Sequence, residues 1–178
     1  MLNKKGFGNS GQVWVETVIY TLIGLTVIGI LLAVATPKIN SIKDKMLIEQ
    51  SIQVLDQIND KIYEVQRAPG NRRVVDLKIS KGKFVIDAAN DKLYLVVESN
   101  YKYSEPDTPV SLGKINVLTT VASPWLVKIE AEYSVDITFN SDSSIETKEF
   151  EKAPSPYTLY IENLGQGTDG RIAVDIRE

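Results

Sequence analysis

Residues 17–36, TVIYTLIGLTVIGILLAVAT, carry no charge over 20 positions. A helix rises 1.5 Å per residue, so this run matches a bilayer hydrocarbon core of about 30 Å. It is a transmembrane candidate, and the rest of the chain is read outward from it. A conventional secretory signal has a shorter apolar region, roughly 7–15 residues, followed by a small-residue cleavage site. Thr36-Pro37-Lys38-Ile39 does not offer such a site. The segment is therefore expected to stay in the product.

Downstream of the run, residues 37–67 form an amphipathic helix extension. Ile39, Ile42, Met46, Ile52, Leu55, Ile58, Ile62 and Val65 recur mostly three or four apart among charged and amide residues. Ala68-Pro69-Gly70 stops it. From residue 12 to residue 66 the two parts would give roughly 80 Å of helix, interrupted or bent near Pro37. The stripe either covers one face of the chain's own β domain, the reading we prefer, or contacts helices of other copies.

After Arg73 the apolar period changes to two, which marks a β domain at residues 73–178. Eight strands are expected, at 74–80, 83–87, 92–99, 114–121, 125–139, 145–151, 157–162 and 171–176, in an antiparallel sandwich-like domain. The clearest is 125–139, with Trp125, Val127, Ile129, Ala131, Tyr133, Val135, Ile137 and Phe139 on one side and mostly charged residues on the other. The fold class is thus α+β, a long transmembrane and amphipathic helix followed by a β domain.

The composition excludes many functions. The chain has 178 residues, 20 Lys and Arg against 23 Asp and Glu, and neither Cys nor His. A net charge of −3 gives no basic field for nucleic acid. Thiolate and imidazole chemistry is gone, and no Ser/Lys or carboxylate set stands in an unusual turn, so an enzyme is not expected. No metal and no other cofactor is expected either. Residues 140–144 with Glu151 loosely match a calcium loop, but Ile145 stands where that loop needs Gly, and a hairpin turn is the better reading. Tyr101, Tyr103 and the loop at 104–109 are a candidate binding surface with no identified ligand. There is no Asn-x-Ser/Thr sequon.

What precedes the apolar run carries the most specific signal: Lys4 and Lys5, then Gly6-Phe7-Gly8-Asn9-Ser10-Gly11, then Gln12-Val13-Trp14-Val15-Glu16. This resembles the class III signal of archaeal type IV prepilins, in which a basic leader is cut after a small residue. Gln then begins the mature chain, Glu is fifth, and the apolar helix is retained. Trp14 and Tyr20 stand where that pattern often has Ser and Leu. The resemblance implies a leader at 1–11, cleavage by an archaeal prepilin peptidase between Gly11 and Gln12, and a transmembrane and filament-core helix at 12–36. It also implies a β domain outside the cell.

It further implies a structural subunit of a surface filament, adhesion being one use of such filaments, with lipid and other copies of the chain as partners. Physics agrees at Glu16. A carboxylate at the mouth of an apolar helix is tolerated but calls for a cation, and the α-amine of a neighbour's Gln12 would be one. Otherwise Glu16 rests among headgroups between Trp14 and Tyr20. Thr17, Thr21 and Gly24 share one helix face and would let helices approach closely. The alternative is a membrane-anchored extracellular binding or accessory protein that does not polymerise. Charge counting leaves orientation open, because Lys38, Lys43 and Lys45 follow the span as Lys4 and Lys5 precede it.

Overall fold

The computed structural model describes residues 10–142, 144–167 and 169–178, with side chains from Val13 onward. Among the described residues one α-helix, α1 (Ser10–Val65), is followed by ten strands, with a short 3-10 helix (Ala88–Asn90) between the second and third: β1 (Arg72–Leu77), β2 (Lys83–Asp87), β3 (Lys92–Ser99), β4 (Val110–Leu112), β5 (Ile115–Thr120), β6 (Trp125–Glu132), β7 (Asp136–Phe139), β8 (Thr147–Glu151), β9 (Tyr157–Gln166) and β10 (Ile172–Arg177). The architecture is α+β. The chain divides between Asn40 and Ser41 into two units, treated separately below.

In the first unit, of the interruption or bend expected near Pro37, the interruption does not occur: α1 is unbroken there. The proline ring leaves the Ala33 carbonyl without its amide partner. One residue away, the Thr36 hydroxyl donates to the Leu32 carbonyl at 2.7 Å.

In the second unit the strands form two sheets. One has the order β1-β9-β10-β7, and the other, wholly antiparallel, has β4-β5-β6-β3-β2-β8. Both sheets and the C-terminal part of α1 feed one hydrophobic core. From the helix come Ile48, Leu55, Ile58, Ile62 and Val65, which are buried at successive spacings of three, four or seven. The preferred reading of the helical stripe therefore holds for Leu55, Ile58, Ile62 and Val65 and in part for the half-buried Ile52, with Ile48 joining the core outside the expected stripe. It fails for Ile39, Ile42 and Met46, which are exposed.

The long strand expected at 125–139 is two strands. β6 lies in the six-stranded sheet, and β7 crosses to the four-stranded one, where it pairs parallel with β10. Burial still alternates through the break, because Val127, Ile129, Ala131, Tyr133, Val135, Ile137 and Phe139 are all buried. Period-two alternation reports which side faces the core. Both sheets share that core, so the pattern is silent about a change of sheet. Asp91 fixes the crossover: its carbonyl accepts from the Tyr133 amide at 2.9 Å, and its carboxylate accepts from the Ile137 amide at 2.9 Å. Arg171 holds that carboxylate at 2.5 Å.

Two other differences have local causes. β4 escaped the sequence reading because its three residues are all exposed and give no alternation. β9 runs past residue 162 to Gln166 through a bulge, where its register against β10 shifts between Ala173 and Val174 and leaves Leu164 exposed. Between β1 and β2, Gly82 has φ +80°, and a Cβ there would stand 2.1 Å from the Val96 carbonyl oxygen. Only glycine fits that turn.

Candidate functional site

The candidate site is the N-terminal part of α1. From 13 to 40 every side chain is exposed, including Trp14 at 70%, Leu25 at 60% and Leu31 at 63%. A helix that is apolar all round is stable only in an apolar setting, and the described residues supply none here. The segment is long and apolar enough to cross a membrane. Its threonine hydroxyls are already satisfied inside the helix: Thr17, Thr21 and Thr26 donate to the carbonyls of Val13, Thr17 and Leu22 at 2.9, 2.8 and 2.7 Å. No threonine donor among these is left to face lipid unpaired.

Thr17, Thr21 and Gly24 are spaced along one face of α1. Glu16, exposed, lies about 100° round the helix from Thr17, on the side of Gln12. A Cβ placed on Gly24 meets nothing within 4 Å. Glycine in a helix interior costs about 0.8–1.0 kcal/mol relative to alanine, and no contact within this chain requires it. Gly11 and Gln12 belong to α1 by their backbone, while Lys4 and Lys5 lie outside the described residues.

The second unit carries polar nodes that the sequence reading missed. Asp44, only 8% exposed, accepts from Lys81 Nζ at 2.9 Å and from Asn100 through its amide nitrogen at 2.7 Å and its Nδ2 at 2.8 Å. Asp44 thereby ties α1 to the β1–β2 turn and to the end of β3. Nothing local in the sequence points to this node, since its partners are 37 and 56 residues away. Asn59, also buried, accepts a hydrogen bond from the Tyr133 hydroxyl, and burial pushes that hydroxyl far above its ordinary range.

On the solvent side of the six-stranded sheet, Glu130 lies between Lys92, at 3.5 Å, and Lys128. Burial alone would raise its carboxyl. The hydrogen bond and charge of Lys128, with those of Lys92, outweigh burial and hold it below 4.5.

The other sequence candidates resolve into structure. Tyr101 and Tyr103 are half-buried against the core, and burial, then Glu49, raises the Tyr103 hydroxyl. Asp142 closes its own turn by accepting from the Ser144 amide at 2.9 Å and hydroxyl at 2.7 Å. Among the described residues no cluster of acidic side chains could hold a metal ion. An open groove of about 270 Å³ runs between α1 and the segment after β1, lined by Gln50, Ser51, Gln57, Lys78, Ser80 and Lys81, where the Ser51 hydroxyl donates to the Leu47 carbonyl and Lys81 to Asp44. In comparisons with known proteins, no family model, no curated protein and no solved structure matches this chain.

Proposed function

We propose that this chain is a structural subunit of an archaeal type IV pilus-like surface filament. An archaeal prepilin peptidase cuts it after Gly11, and it assembles with other copies through α1. The carrying observation is the helix from 13 to 36, exposed and apolar on every side, whose mouth bears the Gln12 and Glu16 pair. Such a surface needs lipid before assembly and neighbouring helices after it. In this reading the two sheets form a sandwich-like domain outside the cell, and the protein performs no catalysis. Adhesion fits such a filament, with no ligand assigned.

The second reading is a membrane-anchored extracellular binding or accessory protein that stays single. It is favoured by the same candidate span, which suffices as an anchor. Electron microscopy of sheared cell-surface material, with mass spectrometry of its N terminus, separates the two. Filaments built from chains beginning at Gln12 support the first reading. Processed or unprocessed chain found only in membranes sinks it.

A further inference from the structure

Residues 100–109, between β3 and β4, lie outside every strand, and Tyr101 and Tyr103 in this segment are a binding candidate by sequence. The first half of the segment is pinned to the six-stranded sheet at both ends by hydroxyls that are 0% exposed. At the end of β3, Ser99 Oγ donates to the Tyr101 carbonyl at 2.8 Å and accepts from the Tyr101 amide at 2.9 Å. In β5, Thr119 Oγ1 accepts from the Ser104 amide at 3.1 Å and from the Ser104 hydroxyl at 2.9 Å. Between these pins the segment meets α1. Asp44 accepts from the Asn100 amide and Nδ2, and Lys45 Nζ stands 5.8 Å from the centroid of the Tyr101 ring. Burial first, and then the Glu49 charge, raise the Tyr103 hydroxyl. From Ser41 to Leu47 the one buried residue of the helix is Asp44, and the first core residue, Ile48, follows it. These two turns therefore have no fully buried apolar anchor, and a charged acceptor withdrawn from water holds them to Asn100 and to Lys81.

We infer that residues 100–104 form a strap closed over α1 at 44–49, fastened by Asp44, and that strap and helix open together as one unit below the threshold of global unfolding. Segments with few buried apolar contacts are the ones that open locally, and both halves of this contact are of that kind. The loop tyrosines are then engaged by the chain's own helix, and an outside partner has to displace α1 to reach the engaged side. Both segments belong to the second unit, so the strap is independent of membrane anchoring and of filament assembly.

Hydrogen exchange of the full chain in detergent, read by mass spectrometry, provides the test. Asp44→Asn keeps the shape of the side chain and removes one of its two acceptor oxygens. It should raise exchange about tenfold in peptides covering 44–48 and 100–104 alike, and leave β2 and β6 unchanged. Thr119→Val cuts the far pin from a strand that does not touch Asp44, and should raise exchange in the same two peptides. A rise confined to the helix after Asp44→Asn, or to 100–104 after Thr119→Val, would show two segments that open separately and would overturn the strap. Unchanged rates in both variants would overturn it because the pins then hold nothing. An equal rise in β2 and β6 would overturn it because the contact then belongs to the global core. Where one variant does not fold the other decides, and failure of both to fold counts as the global-core result.

Discussion

Asn163 of β9 closes the end of α1: its Nδ2 donates to the Val65 carbonyl at 3.0 Å, and its Oδ1 accepts from the Gly165 amide at 2.7 Å. Its backbone carbonyl and amide also bond Gly70 and Asn71, at 2.8 and 3.0 Å. The last carbonyls of a helix have no intrahelical partner, and at this buried end a side chain from a strand 98 residues away supplies one. Asn163→Ala would orphan the Val65 carbonyl and the Gly165 amide, each at about 1–3 kcal/mol. Thermal or denaturant unfolding of the full chain in detergent should show a loss of about 2–4 kcal/mol. A loss below about 0.5 kcal/mol, the level of an ordinary surface change, would mean that water serves both groups.

Asn163 also marks where sequence reading stops. Hydrophobic period gave α1, its stop near residues 68–70, and the sites of most strands, since each depends on local alternation against one core. β2 and β3 have the expected bounds. The failures have two origins, partners far apart in the chain and local stretches that give no alternation. The sheet change between β6 and β7 leaves the alternation untouched, and β4 is too exposed to alternate. The buried polar residues Asp44, Asn59 and Asn163 have partners 37 to 98 residues away. At the candidate site the reverse holds. The apolar run and the Gln12 and Glu16 pair are plain in the sequence, and the fold adds that every described side chain from 13 to 40 is exposed.

Glu130 provides a pH test. Its folded carboxyl is held below the ordinary 4.5, so its contribution to stability is present above that value and is lost as pH falls through the folded pKa. Lys92 is raised in turn, chiefly by the Glu130 charge. Glu130→Gln should lower the melting temperature at pH 7 and flatten the loss of stability between about pH 5 and 3. Melting curves of both proteins across that range decide it. Parallel curves would show that other carboxylates carry the acid sensitivity.

The two readings of function diverge at Glu16 and Gly24, and a pair of variants separates them. Glu16→Gln keeps the shape of the side chain and removes its charge. If that charge meets a neighbour's Gln12 α-amine in an apolar bundle, losing one side of a poorly solvated pair costs about 3–5 kcal/mol per added subunit. A carboxylate among headgroups would contribute far less. Gly24→Ile probes packing without charge. A Cβ at Gly24 meets nothing of the chain's own within 4 Å, so the single chain accommodates it, whereas a close helix neighbour would not. Both variants should be cut after Gly11 and reach the membrane, and both should fail to make filaments in the native host. Mass spectrometry of the N terminus checks the cleavage, and electron microscopy counts the filaments. Normal filaments from either processed variant would remove that residue from the assembly contact. Normal filaments from both would leave α1 as an anchor and shift the assembly surface to the sheet domain.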